Sequence, residues 1–225
     1  MRVPSVRCSI DPTYQKGDVM KLYYGAGSCS LGIHVLLEEL GAPFEAVAVD
    51  LRAGEQYKEG FSAVNPKHKV PTLLRDDGSI LTEYQAIAWW LAASHPAAGL
   101  LPSELEGQVR ALERMDYIVA TIHMQGFGRL FRPSNFTPNA ADEDNVRARG
   151  QQLVATGFEL INGLLAEQDY LVNRFSIADT ALFYVSFWAA GRMKIALPPR
   201  CDAHYQRMLA RPAVQRAMAS EGLTP

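Results

Sequence analysis

Cys29 is the residue of this 225-residue chain best placed for chemistry. It lies in YYGAGSCSLGIHVLLEEL, where a short β-prone run meets a Gly-containing turn and then a helical stripe. A helix start presents outward N–H groups and the positive end of the macrodipole, and both favour a thiolate. Cysteines so placed ionise below the free value of about 8.5. The expectation is a Cys29 thiol that deprotonates readily and alkylates faster than Cys8 or Cys201. No second cysteine follows three residues on, so this is not a dithiol redox pair. An odd number of cysteines without close spacing also argues against a disulfide framework and a zinc knuckle. The default for any one of them is a small buried hydrophobe.

Three further segments carry potential ligand contacts. In VNPKHKVPTL, proline at a strand entrance lacks an N–H and leaves the neighbouring backbone free for other partners. A cis Val70-Pro71 bond would turn the Val70 amide and carbonyl towards a peptide-like ligand; the alternative is a trans loop proline. In LTEYQAIAWWLA, Thr82 or Glu83 opens a helix, and Glu83 can cap it. Its carboxylate either meets a ligand ammonium or simply complements the dipole, and the Tyr84 N–H faces an anion. In FSIADTALF, Ser176 and Asp179 have capping-box spacing, a folding signal and not a catalytic one.

The elements that must position these residues alternate. Residues 21–24 read as a strand, 30–40 as a helix stopped by Gly41 and Pro43, and 44–49 as a second strand. Residues 54–64 are weakly helical. Strands at 72–74 and 79–81 flank Asp77-Gly78, a hairpin signal, and a helix covers 83–93. The order β-α-β-α-β-β-α packs economically as an α/β sandwich. Beyond Pro96 strand signals vanish. Leu105, Val109, Leu112, Val119 and Ile122 mark a long amphipathic helix that Pro133 ends. Further helices are expected at about 142–167, from 176, and across 202–220. The fold class is therefore an α/β N-terminal domain at 20–97 followed by an all-α helical bundle at 104–225. Residues 1–19 read as a flexible extension.

Composition bounds the partners. Hydrophobic residues make up 48 % and charged residues 20 %, with a net charge of −2. No dense Lys/Arg cluster supports nucleic-acid binding. No apolar run reaches the roughly 18 residues needed to cross a bilayer. The first residues have no apolar core and do not form a signal peptide. Free cysteines suit a reducing, cytoplasmic setting.

The order and spacing of these segments resemble the glutathione S-transferase family, and within it the bacterial beta class. The matching stretches are MKLYY…GSCSLGIH, VAVDLRAG, AVNPKHKVPTLL, DDGSILTE…AIA, GFGRLFRP, FSIADTALF and RPAVQRAMASEGL. The resemblance implies a thioredoxin-like first domain that binds glutathione, a helical second domain that lines the electrophile site, and a homodimer active in detoxification, with glutathione as co-substrate, a small hydrophobic electrophile as second substrate, and no metal. It implies that Cys29 faces the glutathione sulfur, that the Val70 backbone before cis-Pro71 pairs with the cysteinyl part, and that Glu83 holds the γ-glutamyl end. The family's Lys for the glycyl end falls at about Gly54, which leaves Arg52 as its nearest replacement. Tyr84 stands where the family usually has Ser or Gly, so a phenol crowds or covers the γ-glutamyl pocket. The ungapped match puts Met124 and Gln125 where the family carries a His-Lys pair. His123 is one residue early, a rotation of about 100° on an α-helix, which points it off the site unless the helix is locally over- or underwound.

Conjugation of glutathione to an apolar electrophile is the main expectation. Tyr117, Thr121 and Met124, at i, i+4 and i+7, share one α-helical face and are the candidate electrophile pocket. The alternatives are thiol–disulfide exchange through a Cys29–glutathione mixed disulfide and a non-catalytic glutathione-binding scaffold. Turnover of a model electrophile separates the first from the last. A resolving Cys29 adduct marks the second.

Overall fold

The computed structural model describes residues 19–224. The expected extension at 1–19, apart from Val19, and Cys8 lie outside the described residues. The chain divides into two compact units, one running to Leu91 and including Arg216–Thr224, the other covering Ala92–Gln215.

In the first unit, β1 (Met20–Tyr24) alternates buried and half-buried positions, the period-2 pattern of a strand with one covered face. α1 (Ser30–Leu40) returns the chain to β2 (Phe44–Ala48), which pairs parallel to β1 with Leu22 opposite Ala46. α2 (Glu59–Val64) leads to β3 (Thr72–Leu74), antiparallel to β1, and a hairpin adds β4 (Ile80–Thr82). The sheet order is β2-β1-β3-β4, and α3 (Tyr84–Ser94) follows. Leu22, Leu73, Leu31, Ile33, Leu36, Leu37 and Ile87 are fully buried and form the core. Each such side chain contributes about 1.5–3 kcal/mol. α1 stops as its sequence dictates: Gly41 adopts φ 65° and donates its N–H to Leu37. Trp89 and Trp90 are half-buried, with the Arg75 guanidinium 5.2 Å from the Trp90 ring centre.

The described part of the second unit is helical. α4 (Leu105–Asp116) continues without a break into a π-helical stretch, Tyr117–Phe127, and then α5 (Gly128–Phe131). α6 (Glu143–Leu164) packs along it. The approach is close: a Cβ on Gly157 would stand 2.5 Å from Ile122 Cγ1, and one on Gly126 would stand 2.7 Å from Val154 Cγ2. α7 (Ile177–Ser186) is buried along its whole length and runs into a second π segment, Phe187–Arg192. α8 (Pro199–Leu209) follows, and α9 (Pro212–Ser220) begins in this unit and ends in the part of the chain that belongs to the first. The capping box at Ser176 and Asp179 is formed. Among the described residues no helix is long and apolar enough to cross a membrane.

Candidate functional site

Residues 25–29 link β1 to α1 through a tight turn. Ser28 donates its N–H to Gly25 O at 2.8 Å. The Ser30 hydroxyl accepts from the Gly25 N–H at 3.2 Å and lies 2.7 Å from Ser28 Oγ. Cys29 takes the N-cap position, but its side chain does not cap the helix. It turns instead to the loop before β3, where Sγ donates to the Val70 carbonyl at 3.5 Å. The Val70-Pro71 peptide is cis.

The electrostatics of this thiol reverse the sequence expectation. Cys29 keeps partial exposure, yet the surrounding protein strips its sulfur of hydration and pushes the thiol up to about 12. The N–H groups of Cys29 and Ser30 pull the other way, as the helix-start argument requires, and the Glu221 and Glu83 carboxylates add to the rise. Desolvation outweighs the helix start, so Cys29 is a protonated hydrogen-bond donor at neutral pH.

Glu221, near the far end of the chain, was not visible as a site residue from its local sequence. Its side chain is fully buried. One carboxylate oxygen accepts the Gly27 N–H at 2.7 Å, and the other lies 2.9 Å from His34 Nδ1. Arg216 reinforces this return, with Nε 2.6 Å from Glu38 Oε2. His34 interrupts an otherwise apolar buried helix face, which is the one local sign that a polar partner must exist. The Glu221 carboxylate also raises the Tyr24 phenol, after desolvation as the larger cause. Glu221→Ala is expected to remove the carboxylate that accepts the Gly27 N–H and pairs with buried His34, and to cost about 3 kcal/mol or more. A lowered denaturation midpoint checks this; an unchanged midpoint would mean that the turn is held without Glu221.

The loop from 65 to 71 is shaped by Asn65, which is buried. Its amide donates to Lys69 O and Thr72 Oγ1, both at 2.8 Å, and its Oδ1 accepts the Lys67 N–H at 3.0 Å. Lys67 then reaches across to Glu83, with Nζ 2.7 Å from Oε1 and 2.9 Å from Thr82 Oγ1. Glu83 adopts φ 72°, a left-handed conformation that costs a non-glycine residue about 1–2 kcal/mol and often marks a functional position. Its carboxylate is exposed, in a place where an ammonium is already held by the protein itself. Tyr84 starts α3 and is only 4 % exposed. Its side chain is therefore packed into the protein and not exposed to solvent.

Cys29, Val70 and Pro71 are thus brought together, with Glu83 near enough to act on the Cys29 thiol. Arg52 is exposed in a loop fixed by Asp50, whose carboxylate accepts the N–H groups of Arg52 and Ala53 at 2.9 Å. No hydrogen bond or ion pair joins its side chain to the others among the described residues.

In the second unit, the shared α-helical face proposed for Tyr117, Thr121 and Met124 is corrected by the π turns. Residues four apart stay almost in line on this wider helix, whereas Met124 lies about one and a half turns from Tyr117. Met124 is 46 % exposed, while Tyr117 and Thr121 are half-buried. His123 lies with its Nδ1 3.1 Å from the Tyr184 hydroxyl and its ring 4.7 Å from that of Trp188. Two cavities of the second unit, about 400 and 320 Å³, are lined by none of these residues. No cluster of His, Cys, Asp and Glu among the described residues could hold a metal ion.

Residues 26–94 match the family described as glutathione S-transferase, N-terminal domain. The chain is 39 % identical over 208 residues to glutathione S-transferase GstA of Escherichia coli O157:H7, covering 91 % of this chain and all of that protein. Among solved structures, a sphingomonad glutathione S-transferase complexed with glutathione is 35 % identical, with a TM-score of 0.78 over 91 % of this chain and 100 % of that one. A bacterial beta-class glutathione S-transferase from Sphingomonas chungbukensis is 33 % identical, with a TM-score of 0.76 over the same shares.

Proposed function

The chain belongs to the glutathione S-transferase family, and from that premise we propose that it conjugates glutathione to apolar electrophiles, with the tripeptide held by the first unit. The observation that carries this reading is the meeting of Cys29 Sγ with the Val70 carbonyl at a cis-proline. A cysteinyl ligand pairing with the Val70 backbone would bring its sulfur to Cys29. There the neutral Cys29 thiol donates a hydrogen bond to the glutathione thiolate, with the N–H groups of the helix start beside it. The glutathione sulfur then forms the new C–S bond, and the leaving group departs with its electron pair. Glu83 takes the γ-glutamyl ammonium, displacing Lys67, while the Tyr84 N–H faces the adjoining carboxylate. Arg52 is the cation assigned to the glycyl end, and Tyr117 and Thr121 line the electrophile pocket.

A thiol raised to about 12 is a poor attacking group, so this chemistry is favoured over exchange through Cys29. The test is glutathione-dependent turnover of an aryl halide. Glu83→Gln is expected to raise the KM for glutathione about tenfold or more, with kcat little changed, as loss of a charged hydrogen bond requires. Cys29→Ala is expected to retain most conjugation. Glutathione binding without any turnover would favour the scaffold reading, and an unmoved KM would remove Glu83 from the site.

We further propose a cytoplasmic homodimer acting in detoxification. Leu105 and Val109, four residues apart on α4, are 74 % and 46 % exposed, an apolar stripe suited to burial against another surface. Sedimentation equilibrium is expected to give twice the 24.8 kDa chain mass at micromolar concentration. A species of the single-chain mass would refute the dimer.

A further inference from the structure

We propose that the second unit carries an oxyanion-binding site, independent of the glutathione site, formed by Arg110, Arg114 and Arg174 around the 320 Å³ cavity that they line. Its ligand is a phosphoryl or sulfuryl group. The central observation is Arg114. Its guanidinium makes no hydrogen bond or ion pair with any described residue, although it is only half-exposed. Burial is the leading influence on it and pulls it below its ordinary value; Arg110 acts in the same direction, while Glu113 and Asp179 oppose them. A partly desolvated guanidinium without a partner is costly, and an anion entering from the cavity relieves that cost.

The neighbouring side chains are arranged to assist. Arg110 is held in place by Glu106 and Glu113, each at 2.9 Å, which fixes the direction of its remaining N–H groups. Glu113 is thereby committed to Arg110 and is not hydrogen-bonded to Arg114. Arg174 donates to the Gly99 carbonyl at 3.0 Å, a single bond that leaves most of its donors available. Glu104 is the one carboxylate lining the cavity; it accepts from the Ser103 hydroxyl at 2.7 Å and lies in the field of Arg174. With Arg110 ion-paired to Glu106 and Glu113, Arg114 and Arg174 supply the free positive charge against Glu104, the one lining carboxylate, and favour an anion over a cation or a neutral solute. Guanidinium planes match the paired oxygens of a phosphoryl or sulfuryl group. The volume is at the lower end of the roughly 300–1,000 Å³ typical of small-molecule sites.

The experiment titrates the full-length protein with inorganic phosphate and with sulfate at constant ionic strength set by chloride, following heat of binding and Tm. Saturable binding of both is expected, with chloride giving none. Arg114→Gln and Arg174→Gln are each expected to weaken it about tenfold or more. Arg174 is exposed, so Arg174→Gln decides the question even if Arg114→Gln fails to fold. A Tm rise that chloride reproduces, a response that never saturates, or unchanged binding in Arg174→Gln would overturn the proposal. Unchanged glutathione turnover in Arg174→Gln keeps this result separate from the fate of the first-unit site.

Discussion

Cys29 in the ligand-free protein is expected to alkylate at least about tenfold more slowly at pH 7 than a thiol of ordinary acidity, the greater nucleophilicity of a more basic thiolate offsetting part of its scarcity. The reactive species is the thiolate. Raising the thiol from 9.0 to about 12 lowers the thiolate fraction at neutral pH by about three powers of ten. The cause is lost hydration, which the N–H groups of Cys29 and Ser30 offset only in part. Cys201 gives no faster internal reference, because it is buried, donates to Phe158 O at 3.5 Å, and is likewise pushed up to about 12. Alkylation followed by peptide mass spectrometry between pH 6.5 and 10 checks the expectation. The Cys29 rate should climb about tenfold per pH unit across the whole range without a plateau. A plateau near pH 7, or a rate matching free cysteine, would show an activated thiolate and restore thiol–disulfide exchange as a leading chemistry. The same shift has a stability consequence of definite sign. A thiol whose folded pKa exceeds its unfolded one binds its proton more tightly when folded. That contribution is complete below about 9 and is lost as pH rises towards 12.

What was legible in the sequence were the contacts made by neighbours along the chain. The strand–turn–helix around Cys29, the hairpin at Asp77-Gly78 and the Ser176–Asp179 box are all set by spacings of a few residues, and each is found in the structure. What escaped were partners brought from afar. Glu221 reaches Gly27 across 194 residues, and nothing in the SEGL segment announces a buried carboxylate. Lys67 meets Glu83 only because β3 and β4 form a hairpin that carries the 65–71 loop to the start of α3. The thiol's acidity escaped for the same reason. A helix start is a local feature and was read correctly, while desolvation comes from everything folded around the sulfur. The π turns at 117–127 illustrate a different limit. Apolar residues three and four apart fit an α-helix and, over a run this short, a wider helix too. The pattern therefore placed the helix but not the faces of Met124 and His123.

Asp179→Ala is expected to destabilise the protein by about 3–5 kcal/mol, well beyond the roughly 0.5–2 kcal/mol of an exposed helix cap. The local sequence suggests only the cap. The structure shows a fully buried carboxylate accepting from four donors: the N–H groups of Leu171 and Ser176 at 2.8 Å, the Ser176 hydroxyl at 3.0 Å, and His204 Nε2 at 3.0 Å. His204 is also fully buried, and its Nδ1 has no partner among the described residues, so Asp179 is its sole hydrogen-bond partner. Removing the carboxylate strands the Leu171 N–H, the Ser176 N–H and the His204 ring in an interior that water does not reach. Each loss costs on the order of 1–3 kcal/mol. Asp179→Asn keeps one acceptor oxygen and should fall between the two. His204→Ala should add little further loss when combined with Asp179→Ala, because the two changes remove one shared contact. Denaturant midpoints for the three variants and the double variant provide the measurement. A shift no larger than that of an exposed cap would mean that the chain around 171–176 relaxes to water when the carboxylate is gone. Glutathione KM in the fraction that remains folded should not change, because the residues assigned to glutathione lie in the first unit and Asp179 in the second. A KM that rose in step with the lost stability would tie the capping box to the binding site itself.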